Sequence, residues 1–161
     1  MSGTPIEQSS FDRVWQRVVE AQPQIQAQPS AKGGEELLRE FMDSTALGIK
    51  YYVALYSRLG ERREAVGAIV RQQRRELRRL RAAYFILTGK TYAPQTVKAR
   101  ITGTADALRR RYIAEGESAE AYARAAANTT ERDISGLFTE LARQRKEHQQ
   151  TLGRILEDMM G

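Results

Sequence analysis

Six side chains draw attention because polar groups stand where apolar ones belong: Thr45, Gln73, Glu76, Glu115, Arg145 and His148. Each continues an alternating four-and-three spacing that otherwise carries hydrophobic residues, the mark of a helix face packed into a core. In the last third of the chain, apolar residues recur at 134, 138 and 141 and again at 152, 155 and 159. The two places that complete the series hold Arg145 and His148. Glu76, Glu115 and His148 form a donor set suited to one iron, manganese or zinc ion. Arg145 opposes that use, because its guanidinium stays protonated. At an effective dielectric near 20, a unit positive charge about 4 Å from a divalent ion costs on the order of 8 kcal/mol. As an acid and base pair the two glutamates fare no better: an arginine between them holds both ionised and poorly poised for proton transfer at neutral pH. A metal-free arrangement uses the residues more economically. In it Arg145 bridges Glu76 and Glu115, while Gln73, His148 and the hydroxyls of Tyr52 and Tyr122 satisfy the remaining donors and acceptors. No catalytic residue is assigned, and the leading expectation is that no cofactor is present.

The elements that must position these groups are helices. The first is expected from about Glu35 to Leu59, with Leu38, Phe41, Thr45, Gly48, Tyr52, Leu55 and Leu59 on its packed seam. Gly60 ends it. The second runs from about Glu61 to Thr88 with Val66, Ile69, Gln73, Glu76, Leu80, Ala83 and Leu87 inward, and Gly89 is its stop. A long connection containing Pro94, with an early helical start at Val97, leads to a third helix from about Thr104 to Ala127, whose seam is Leu108, Tyr112, Glu115, Ala119, Tyr122 and Ala126. The stretch Asn128-Thr-Thr-Glu-Arg-Asp133 supplies a turn and an N-cap for the fourth. Short, long and short connections predict an all-α antiparallel four-helix bundle over residues 34–161, with a crossover between helices 2 and 3. Residues 1–33 read differently. Phe11, Val14, Trp15 and Val18 share one side of a short helix, Gln22 to Pro29 is extended, and Ser30 to Gly34 is a joint, so this segment is expected to be an arm packed on the bundle.

The four seams are apolar at their ends and polar near their middles, so the six polar side chains converge at one depth. The halves also echo each other: Thr45 and Tyr52 are seven residues apart, as are Glu115 and Tyr122, and Gln73 and Glu76 are three apart, as are Arg145 and His148. One position from each of two helices and an i, i+3 pair from each of the others is the layout of a ferritin-like di-iron site. The chain resembles the rubrerythrin-like members of the ferritin-like superfamily over roughly 35 to 160. The resemblance is carried by Phe41-Met-Asp-Ser-Thr-Ala-Leu-Gly-Ile-Lys-Tyr-Tyr-Val-Ala-Leu55, by Arg78-Arg-Leu-Arg-Ala-Ala-Tyr-Phe-Ile-Leu-Thr-Gly89, and by Glu115 with Tyr122. It implies a ferritin-like bundle, a di-iron carboxylate centre with redox activity, and a possible homodimer. The departures count against that centre. Where the family plan asks for Glu, this chain has Thr45; the helix 2 pair, expected as Glu-x-x-His, is Gln73-x-x-Glu76; and the helix 4 pair begins with Arg145. Glu115 and His148 alone survive in kind.

Bulk properties bound the remaining choices. A chain of 161 residues with 41% hydrophobic content is long enough for a real core. It has no cysteine, which excludes disulfides, thiolate catalysis and cysteine-ligated metals. No apolar run approaches a membrane span and the first residues lack the apolar core of a signal peptide, so a cytoplasmic protein without a membrane partner is expected. There is no Gly-rich phosphate loop and no nucleophile elbow. The net charge of +6 owes much to Arg71-Gln-Gln-Arg-Arg-Glu-Leu-Arg-Arg-Leu-Arg81. Such a run invites a nucleic-acid reading. Without interleaved aromatics or a recognition motif, a solvated helix face is the simpler account, and nucleic acid stays a subordinate alternative. The expected function is therefore that of a degenerate ferritin-like protein with a structural or interaction role. The alternative is a metal-binding protein or oxidoreductase with one metal on Glu76, Glu115 and His148.

Overall fold

The computed structural model describes residues 33–161. The arm expected over residues 1–33, with its Trp15 face and extended Gln22 to Pro29 stretch, lies outside the described residues except for Gly33. Four helices follow: α1 (Gly34–Tyr56), α2 (Arg63–Thr88), α3 (Thr104–Asn128) and α4 (Arg132–Met160), with a single 3-10 turn at Gly60–Arg62. No strand occurs among the described residues, and none of their helices is long and apolar enough to cross a membrane.

The helix ends follow local chemistry. After Tyr56 the chain tightens into turns in which the amides of Arg58 and Leu59 donate to the carbonyls of Leu55 and Tyr56, and Gly60 takes a left-handed φ of 57°. This ends α1 three residues earlier than its spacing predicts. Gly89 closes α2 as expected, at φ 74°, its amide donating to Phe85 O at 2.7 Å. At the start of α4 the Glu131 side chain accepts from the Asp133 amide, so the cap falls inside the expected turn.

Two apolar clusters fill the interior, and each draws on all four helices. One joins Tyr52, Leu55 and Leu59 to Val66, Ile69, Leu108, Leu152 and Ile155. The other joins Leu38, Phe41 and Met42 to Leu80, Tyr84, Tyr122, Phe138 and Leu141. The late residues of α1 thus meet the early residues of α2 and α3 and the late residues of α4. Helices α1 and α4 therefore run one way, α2 and α3 the other, which makes two antiparallel hairpins consistent with a four-helix bundle. In the second cluster the rings of Phe41 and Tyr122 stack at 4.0 Å, with Phe138 edge-on to Phe41 at 5.2 Å.

Because α2 and α3 are parallel, the segment between them must return along the bundle. A helix of 25 residues is about 37 Å long, a distance the roughly fifteen residues from Gly89 to Gly103 cover in a largely extended form. The helical start expected at Val97 does not form, and α3 begins at Thr104. Asp43 on α1 pins the strap midway: its carboxylate accepts from the Tyr92 hydroxyl at 3.0 and 3.1 Å and from the Gln95 amide at 2.7 Å. Ile101 then packs on the first cluster.

Four expected seam residues depart from the interior. Leu87 and Met159 are exposed because they lie beyond the last shared layer, and Ala83 and Ala126 are half-buried beside the buried Tyr84 and Ala125. A fifth, Tyr112, is exposed and lies over Gly153 of α4, where a side chain would come within 3.2 Å of its ring.

Candidate functional site

Between the two apolar clusters lies a polar layer to which every helix contributes. Thr45, Gln73, Glu76, Glu115, Arg145 and His148 are all buried; among the described residues only Gln144 joins them as a buried polar side chain. Leaving charges in such a place is tolerable only when each is paired and hydrogen-bonded.

Arg145 organises the layer. Its side chain is 1% exposed and its planar fork reaches both carboxylates. Nε donates to Glu76 at 3.2 and 3.1 Å, and Nη2 donates to Glu76 Oε2 at 2.8 Å and to Thr45 Oγ1 at 2.7 Å. Nη1 donates to Glu115 Oε1 at 3.0 Å. Each glutamate then receives further donors. Glu76 Oε2 accepts from Tyr122 at 2.6 Å and Thr45 at 3.2 Å. Glu115 Oε2 accepts from the Tyr52 hydroxyl and from Gln73 Nε2 at 2.8 Å. The tyrosine of each hairpin thus donates to the carboxylate of the other.

His148 joins through Gln73, whose Nε2 lies 3.1 Å from His148 Nδ1. The Glu115 carboxylate fixes that amide with its nitrogen forward. His148 Nδ1 is therefore an acceptor, and the neutral ring carries its proton on Nε2. The Gln73 carbonyl oxygen finds no partner in the layer.

A seventh residue belongs here that the spacing did not single out. Arg111, almost buried, brings Nη2 to 3.8 Å from Glu115 Oε2 and its guanidinium over the Tyr52 ring at 5.1 Å. It enters because Gly48 faces it: a side chain there would come within 3.1 Å of Arg111 Nη2. The available signal was its place four residues before Glu115, on the same helix face.

The environment sets the charge states. Burial pushes both tyrosines well above their usual range, and the Glu115 and Glu76 carboxylates beside Tyr52 and Tyr122 push the same way. Burial also works to raise Glu115, but Arg145, Arg111 and the Tyr52 hydroxyl together hold it below the usual carboxylate value. Burial works to lower Arg145 and is overridden by Glu76 and Glu115, which keep it cationic. His148 is held below its usual value by burial first and then by Arg145, against the opposing pull of the Glu115 and Glu76 carboxylates.

These directions give stability a pH dependence of known sign. Below about pH 6.5 an unfolded chain protonates its histidine while the native ring resists, so stability falls as pH drops from 7.5 toward 5.5. The limit for one such group is about 1.4 kcal/mol per pH unit. His148 is the single histidine of the chain, and no other unperturbed side chain titrates in this window. Denaturant melts at the two pH values should therefore show the loss in the natural protein and its absence in His148→Asn. A second loss sets in as pH falls through 4.5 and below, where the depressed Glu115 finally protonates. Equal stability of the natural protein at pH 7.5 and 5.5 would contradict the neutral assignment of His148.

The donor set does not fit a pair of metal ions. Both oxygens of Glu76 and both of Glu115 already accept hydrogen bonds, and a guanidinium lies between the two carboxylates. Glu76, Glu115 and His148, expected together as ligands in the one-metal alternative, are linked instead through Arg145 and Gln73. Among the described residues no three His, Asp or Glu side chains converge as ligands of one ion would. As it stands, the layer is an ionic and hydrogen-bonded joint between two hairpins. Compared with protein families, curated proteins and solved structures, the chain matches none of them.

Proposed function

We propose that this chain is a degenerate ferritin-like protein of the rubrerythrin-like kind, in which an arginine has taken the place of the metal ions and whose role is structural or interaction-based. One observation carries the reading: the Arg145 guanidinium, 1% exposed, bridges Glu76 and Glu115 as a cation between two carboxylates. The topology supports it. Two antiparallel hairpins joined by a single long crossover are what ferritin-like bundles use, and the six layer residues occupy the one-plus-pair positions of that plan. The chemistry supports it too, because both carboxylates are engaged by Arg145, which leaves neither free to shuttle a proton.

The test is metal analysis of the purified full chain after anaerobic incubation with ferrous iron, manganese and zinc, with His148→Ala alongside. Less than a tenth of a metal per chain is expected in both. One metal per chain in the natural protein, lost in His148→Ala, would restore the one-metal reading on Glu76, Glu115 and His148 and send the search to oxygen and peroxide chemistry.

A further inference from the structure

The outward face of α2 carries a dense row of arginines. Arg71, Arg74, Arg75, Arg78 and Arg81 are all exposed, and at 100° per residue they fall within a sector of about 120° opposite Val66, Ile69, Gln73, Glu76 and Leu80. They form a row about 15 Å long. None of the five has a carboxylate partner among the described residues, and the one acidic residue within their run, Glu76, is buried in the polar layer.

Several other surface arginines are neutralised by neighbours. Arg39 pairs with Glu35, Arg109 and Arg110 with Asp106, and Arg143 with Glu147, all at helical spacing. Even Arg79, just outside the row, makes a two-pronged bridge to Glu140 at 2.9 Å. Like charges three and four apart on a helix repel, so the row weakens α2 slightly unless an anion meets it. An uncompensated row of guanidiniums is built to meet an anion from outside. The same sector ends in Phe85, 54% exposed, an aromatic that the linear spacing had not connected with the arginines.

We propose that this face of α2 binds the phosphate backbone of a duplex nucleic acid without reading its sequence. Guanidinium forks match phosphate oxygens two by two, and a duplex presents one phosphate charge per about 1.7 Å of its axis, so a straight row finds partners along its whole length. A single strand is the poorer fit, because one exposed aromatic is no stacking platform. The face is turned away from the Arg145 layer, so this inference stands whether or not that layer binds metal.

The test uses the full chain and a fluorescein-labelled 20-base-pair DNA of mixed sequence, followed by anisotropy between 50 and 200 mM salt. Engagement of four or five phosphates gives a slope of log K against log salt of about −4. In a variant carrying Arg74→Gln, Arg78→Gln and Arg81→Gln, the slope should shrink by about 2.7 and the affinity at 50 mM salt should drop at least tenfold, with the melting temperature unchanged. Arg109→Gln with Arg110→Gln, which removes arginines already paired to Asp106, should leave both readings alone. No binding at 50 mM salt overturns the proposal, as does binding that the triple variant leaves intact. Binding to phosphatidylserine vesicles without binding to the duplex overturns it equally, and would assign the row to a lipid surface.

Discussion

Arg145→Ala is expected to lower the stability of the protein by about 3 to 5 kcal/mol, the usual cost of removing one partner from a buried ion network. For a chain of this size the melting temperature should fall by roughly 6 to 20 °C. The loss has two sources, the carboxylates of Glu76 and Glu115 left without a cation and the empty space where the guanidinium lay. Arg145→Met separates them, since it refills much of the volume and none of the charge. If the ionic joint is what matters, the methionine variant melts almost as early as the alanine one. Recovery of most of the stability in Arg145→Met would assign Arg145 to packing and remove the main support for a cation standing in for metals. Arg145→Lys should fall between, because an ammonium keeps the charge but cannot span Glu76, Thr45 and Glu115 with one planar fork.

Glu115→Gln should cost about 3 kcal/mol although the side chain keeps its shape. Glu115 Oε1 accepts from Arg145, while Oε2 accepts from Tyr52 and Gln73 and faces Arg111. Whichever way the new amide turns, its NH2 group meets a donor, and Arg145 and Arg111 lose the carboxylate they share. Chemical denaturation of the single variants and of Glu115→Gln with Arg145→Met closes a double-mutant cycle. A coupling of about 0.5 to 3 kcal/mol is expected for groups in one network. Additive losses within a few tenths of a kcal/mol would mean that the two residues act independently.

The interior layer was legible in the sequence because helical spacing is a strong signal and polar residues break it visibly. All six positions that interrupt the apolar series are buried, and the two tyrosines expected to add hydroxyls do so, one to each carboxylate. Arg111 was passed over in favour of its neighbour Tyr112, although its place four residues before Glu115 was a readable signal. Only the pairing of Gly48 with α3 shows why the shorter turn of the seam wins. Met42, Ile49 and Val70 were missed for a related reason: packing against two neighbours buries a face wider than a single line of seam positions. Directions of helices came from connection lengths, but the route of the strap depended on Asp43, whose role as an acceptor for Tyr92 and Gln95 links residues about fifty positions apart. The arginine row was visible as composition. What the linear order concealed was its isolation from acidic neighbours, a property of the folded surface.

The division of charge within the layer sets which half can mate with which. The hairpin of α1 and α2 brings one ionised group to the joint, Glu76, whereas that of α3 and α4 brings Glu115, Arg145 and the flanking Arg111. One of each is neutral. Two copies of the first hairpin would press two carboxylates together with no cation, and two copies of the second would confront four guanidiniums with two carboxylates. The two hairpins are complements in charge, and the strap from Gly89 to Gly103 does more than connect them: it fixes them in a one-to-one ratio.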